Sequence, residues 1–332
     1  MADDRDDGTA ELVRRHLLDP IEESNLATRI PRLTEMTDPV SVAVRSQYGE
    51  QPYPRWRTAP ARRQGSFGGV VAGALGNPDL AATLHVEAPR ILVAGCGTGR
   101  HAVGAAGRYE GAQVLAIDLS VRSLAYGALR AQRLGISNVE FAQADILGLG
   151  ELGLEFDVVE CVGVLHHLAD PEAGWAILRR LTRPGGLMKI GLYSRRGRAF
   201  LDPISRMIDE RGLEPTVEGI RTVREFVAEL PVDTPARGVM AAPDFYSRSG
   251  CRDLFFSEHE DRFDLPRIRR AIDLLQLEFL GFELASPRIR ALYLRQFPDD
   301  PTGRDLSNWD LLERRHPGMF STMYRFWTRA VD

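Results

Sequence analysis

The apolar run ILVAG (91–95) passes directly into GCGTG (95–99). Such a run without polar alternation suits a strand buried on both faces, the habit of parallel sheets. Glycines directly after it let the backbone turn sharply and approach a ligand where a side chain would collide. The same kind of strand recurs as VLAID (114–118), NVEFAQ (138–143), FDVVECV (156–162) and LMKIGLY (187–193). Helices are predicted between them over 99–108, from an N-cap at Ser120 to near Gly135, and across 171–182. Strands alternating with helices predict an α/β fold with a doubly wound parallel sheet.

Around this core the pattern is less regular. Residues 1–10 read as a solvated, disordered tail, and 11–89 as an N-terminal helical segment and strap. Within it, Leu12, Leu17 and Leu18 precede a break at Pro20, and 57–89 is a loose helix with loops. The core occupies 90–194. Residues 195–264 form a helical insertion after strand five, with helices near 199–211 and 218–229. Residues 265–332 complete the core with a helix over 265–277, a strand pair from LEFLGFEL and IRALYLRQF, and a terminal helix over 308–328.

Composition narrows the function classes. With 332 residues, 44% hydrophobic and 27% charged, the chain is ordinary globular material. A formal charge of −4 supplies no global field toward nucleic acid or an anionic membrane, and no apolar run approaches membrane-spanning length. Cys96, Cys161 and Cys251 lack metal-ligand spacing and suit core positions in a reducing cytoplasm, and MADDRDDG is unlike a secretory signal. Lys189 is the sole lysine, which fits a GC-rich genome.

Three elements converge on one ligand. The glycine turn holds Gly95, Gly97 and Gly99. Asp118 ends the second strand, where a carboxylate can accept from both ribose hydroxyls. Asp145 ends the third, placed for an adenine amine with Ile146 against the ring. A dinucleotide fingerprint would put a third glycine where Arg100 stands, which argues against a nicotinamide oxidoreductase.

In order, ILVAGCGTG, VLAID, QAD, FDVVECVGVLHHLADP and LTRPGGLMKIGLYS resemble the successive motifs of class I S-adenosylmethionine (SAM)-dependent methyltransferases, and LGFEL (280–284) is similar to a later junction of that family. The resemblance implies a Rossmann-like sheet of seven strands with one reversed, and SAM as cofactor. It places SAM across Gly95, Cys96, Gly97 and Gly99, on Asp118 and Leu119, near Asp145, Ile146 and Val162. SVAVRSQYGEQPYPRW (41–56), RDLFFSEHEDRFDLPRI (252–268) and HPGMFSTMYRFW (316–327) resemble flanks of bacterial methyltransferases often fused to tetratricopeptide repeats. Gly49 and Gln51 depart from that pattern.

The reaction needs alignment of a nucleophile with the methyl group, exclusion of water and, for a hydroxyl or ammonium acceptor, a base. His166 and His167, after strand four, are the candidates; local packing is the competing role. Tyr48 and Tyr53 sit in a strap that reads either as a lid over SAM or as packing. Tyr246, Arg248, Arg252 and His259 are expected to bind a small-molecule acceptor, since acidic residues interrupt any basic stripe that nucleic acid would need. Glu258, His259, Glu260 and Asp261 cannot easily converge on one metal. A SAM-binding scaffold without catalysis is the alternative to an enzyme.

Overall fold

The computed structural model describes residues 3–49, 52–56, 58 and 64–331. Seven strands run β1 (Arg90–Ala94), β2 (Gln113–Asp118), β3 (Val139–Gln143), β4 (Phe156–Val162), β5 (Thr182–Tyr193), β6 (Leu277–Phe282) and β7 (Met323–Ala330). They lie in the order β3-β2-β1-β4-β5-β7-β6. The first five are mutually parallel, and β7 is antiparallel to both β5 and β6. This is the doubly wound sheet with one reversed strand that the motifs imply.

Local chemistry sets the crossovers. Ser120 caps helix Val121–Arg133 by accepting from the Ser123 N–H. Asp170 and Asp264 do the same for helices Pro171–Arg180 and Leu265–Leu274. Two apolar cores fill the faces of the sheet, one around Trp175 and Phe326, the other around Val71, Ile91 and Leu124. The insertion holds its own cluster, with Ile204, Val223 and Phe245 among its members.

Three boundary expectations fail. Helix already occupies Asp3–Val13, so the tail read over 1–10 is not structureless where it is described. The helix then continues to Ala27, and a π-helical stretch at Arg14–Leu18 absorbs Pro20 where a break is expected. Leu12, Leu17 and Leu18 face solvent; the arm is instead held by Asp19 to Arg133 at 2.6 Å and Arg130 at 3.3 Å. At the other end, IRALYLRQF is not a strand. Ser286 caps helix Pro287–Gln296, with proline in its first turn, where its missing N–H costs nothing. The partner of LEFLGF is β7, drawn from residues read as terminal helix. That helix stops at Arg315, ahead of Pro317.

Among the described residues no helix is long and apolar enough to cross a membrane.

Candidate active site at the carboxyl ends of the strands

A crevice of about 230 Å³ opens over the ends of β1 to β5. Gly95, Gly97, Asp118, Leu119, Asp145 and Ile146 line it. Gly97, at φ +53°, is the glycine that faces open space: a Cβ there would have nothing nearer than 3.9 Å. Gly95 and Gly99 serve packing. A Cβ would meet Val164 at 2.3 Å in the first case and Phe141 at 2.8 Å in the second. Cys96 and Val162 do not line the crevice. Cys96 is buried, with its N–H on Ile117 O at 2.8 Å, while Gly163 and Val164 take the place expected for Val162.

Asp118 braces the glycine turn. One carboxylate oxygen accepts from Gly97 N at 2.8 Å, the other from Ser120 N at 2.9 Å. Burial raises its pKa, and these N–H groups oppose that shift. Asp145 accepts from Leu147 N at 3.0 Å and gives its own N–H to Thr34 Oγ1 at 2.7 Å. Thr34 follows a short stretch paired with the edge of the sheet: Leu33 N donates to Gln143 O, and Gln143 N to Pro31 O, each at 2.8 Å. The N-terminal arm therefore walls this end of the crevice.

The strap crosses the glycine turn. Thr98 Oγ1 donates to Pro54 O at 2.7 Å, Trp56 Nε1 donates to Thr98 O at 2.8 Å, and the Tyr126 hydroxyl donates to Trp56 O. Tyr53 lines the crevice, but its hydroxyl is committed to Asp244, which ties strap to insertion. Burial, followed by Asp244, drives that phenol's pKa up. The side chain of Tyr48 and the whole of Gln51 fall outside the described residues.

The two histidines part company. His166 is fully buried, stacked on Tyr193 at 3.8 Å, and its Nδ1 accepts from Tyr193 N at 3.3 Å. Its Nε2 has no partner among the described residues, and it does not line the crevice. His167 does. Its Nδ1 lies 2.6 Å from His259 O; a carbonyl only accepts, so Nδ1 carries the proton and Nε2 the lone pair. Burial lowers the pKa of both rings, which favours neutral imidazole.

The expected acceptor residues lie elsewhere. Tyr246 is 65% exposed, Arg248 is also exposed, and neither they nor Arg252 line the crevice. His259 acts through its backbone carbonyl. The insertion instead contributes Asp253, beside Tyr193 from the end of β5 and Arg45 from helix Pro39–Gly49. These escaped the sequence reading, although the carboxyl end of a parallel strand was a signal for Tyr193. The acidic 258–261 stretch anchors arginines. Glu260 pairs with Arg198 at 2.7 Å and Arg262 at 2.8 Å, and Asp261 with Arg267 at 2.7 Å. Arg198 in turn sits 3.8 Å over the Tyr193 ring, so that ring is clamped between a guanidinium and an imidazole.

Comparison with known proteins bears on this geometry. An uncharacterized protein of Synechococcus sp. is 34% identical over 236 residues, 67% of this chain and 55% of its own length. A ubiquinone biosynthesis O-methyltransferase of Acinetobacter baumannii is 34% identical over 113 residues, 34% of this chain and 47% of the enzyme. The chain spans about half the length of these curated relatives. The structure of PKMT2 from Rickettsia typhi in complex with AdoHcy superposes with a TM-score of 0.60 at 17% identity, over 82% of this chain and 55% of that one, and so shares the fold. Residues 91–186 match the methyltransferase domain family, set here within the seven-stranded, doubly wound sheet of class I methyltransferases.

Proposed function

We propose that the chain is a SAM-dependent methyltransferase acting on a small-molecule acceptor. The observation that carries this reading is the ordered wall of the crevice: an open glycine after β1, a carboxylate after β2 and another after β3. The residues present fit the cofactor. The Asp118 carboxylate accepts backbone N–H groups of Gly97, Ser120 and Leu119, and with about four lone-pair sites it keeps capacity for a ribose hydroxyl. Asp145 and Ile146 would hold the adenine, and the space left by Gly97 admits the chain between ribose and sulfur. Bound SAM supplies a methyl group made electrophilic by its sulfonium.

The protein's part is to orient, dry and deprotonate. The strap at 52–56 and the insertion meet through Tyr53 and Asp244 over the crevice, which limits water. His167 takes the acceptor's proton at Nε2, its tautomer fixed by His259 O, while Tyr193 and Asp253 border the space left for the acceptor. The likeness of 41–56, 252–268 and 316–327 to repeat-fused bacterial methyltransferases belongs with this reading. His167→Asn tests it. Release of S-adenosylhomocysteine from SAM plus a productive acceptor should fall by roughly two to four orders of magnitude. Affinity for S-adenosylhomocysteine should stay within threefold. Unchanged turnover removes His167 from the chemistry.

A further inference from the structure

On the face of the sheet packed by helix Phe67–Leu75, one row of residues breaks the apolar rule for parallel strands. The register pairs Val93 with Glu160, Glu160 with Lys189, Lys189 with Trp327 and Trp327 with Gly281, so their side chains share that face. A carboxylate and the chain's sole lysine thus stand side by side in a sheet interior, where unpaired charge is costly. Above them lies a second cavity, of about 360 Å³, lined by Arg108, Tyr109, Lys189, Glu283, Arg325 and Trp327. It shares no lining residue with the crevice.

Both carboxylates here are taken up from within. Glu160 is fully buried; its carboxylate meets His101 and accepts from the Tyr109 hydroxyl at 3.2 Å. Burial alone would raise its pKa, but His101, Lys189 and Arg108 reverse the direction and keep it ionised. Glu283 is bound by Lys189 at 2.8 Å and by Trp327 Nε1 at 2.8 Å. Of the cations only Lys189 is matched in return, by Glu283. Arg108 comes only to 4.0 Å from Glu160 and shares a side-chain hydrogen bond with Tyr109, and the Arg325 guanidinium makes no ion pair or side-chain hydrogen bond among the described residues. Three cations therefore surround the cavity against two carboxylates, and two guanidiniums there retain unused donors. Val70, Ala74 and the Trp327 ring add an apolar wall.

We infer that this cavity is a binding site for a small organic oxyanion, a carboxylate or a phosphate monoester. Arg108 and Arg325 grip its oxygens and the apolar wall covers its body. The site is separate from the methyl-transfer crevice, though Glu160 and His101 connect its floor to the helix that starts at the glycine turn.

The test is thermal unfolding and calorimetry of the full chain with inorganic phosphate and with succinate, against chloride at matched ionic strength. The expected result is stabilisation by at least one oxyanion beyond chloride, which also tells phosphate from carboxylate. Arg325→Ala, at an exposed position, should weaken that oxyanion at least tenfold and leave S-adenosylhomocysteine affinity unchanged. Three results overturn the inference: neither oxyanion exceeds chloride, Arg325→Ala responds as wild type, or the variant loses S-adenosylhomocysteine in parallel. The anion titration does not depend on whether the crevice binds SAM.

Discussion

Replacing Asp118 with Asn changes one atom's chemistry and almost none of the volume. The carboxylate accepts Gly97 N at 2.8 Å on one oxygen and Ser120 N at 2.9 Å on the other. An amide keeps only one acceptor, so its NH₂ must confront either the Gly97 or the Ser120 N–H, donor against donor. Losing a hydrogen bond to a charged group costs about 1.5–3 kcal/mol. Two consequences follow, on separate links of the chain from structure to function. The glycine turn loses its brace, so the ligand-free protein should melt a few degrees lower. Ribose also loses a charged acceptor, so S-adenosylhomocysteine affinity should fall roughly 10- to 150-fold. Differential scanning calorimetry reads the first and titration calorimetry the second. Wild-type affinity in Asp118→Asn would refute the assignment, and lower stability alone would leave Asp118 as a brace.

Two further outcomes follow from the strap and the histidines. Trp56 is buried against Tyr126 and tied to Thr98, so Trp56→Ala should lower unfolding free energy by about 3–5 kcal/mol in denaturant titration; a cost below 1 kcal/mol would mean the strap is only loosely held. Burial lowers the pKa of His166, so below the ordinary histidine value the unfolded chain binds a proton that the folded one does not. Stability is then complete above about pH 6.5 and is lost as pH falls toward the depressed value. His166→Gln should flatten that decline in melting temperature between pH 7 and 5, and an unaltered slope would acquit His166.

The glycine-and-carboxylate wall of the crevice was legible because its information is local. A strand, a glycine turn and a carboxylate at the end of the next strand each announce themselves within a few residues, and Ser120 caps as its side chain dictates. The reversed strand was not. MYRFWTRA and IRALYLRQF both mix aromatics and arginines, and which of them pairs with β6 is decided across the sheet, not within either segment. Only the serine-proline start at Ser286 and the stop at Pro317 separated them. The opposite wall of the crevice was hidden for the same reason. Asp253 and Tyr193 come from segments 60 residues apart, roughly the length of the insertion that returns one to the other, and no periodicity foretells that fold-back. Tyr246 and Arg248 were reasonable choices by type, but both side chains are exposed at the junction of two short helices. Glu160 and Lys189 passed as members of apolar runs, since neighbours on either side are apolar.

If the chain is a SAM-dependent methyltransferase, the crevice over Gly97 must bind the adenosyl cofactor. Calorimetric titration of S-adenosylhomocysteine into the wild-type chain and into Gly97→Val tests it most directly. A Cβ-branched residue at φ +53° both strains the turn and fills the space that the glycine leaves open. The expected result is one binding equivalent in the wild type and loss of binding in a variant that still unfolds cooperatively. Absence of binding in the wild type, or equal binding in Gly97→Val, would contradict it.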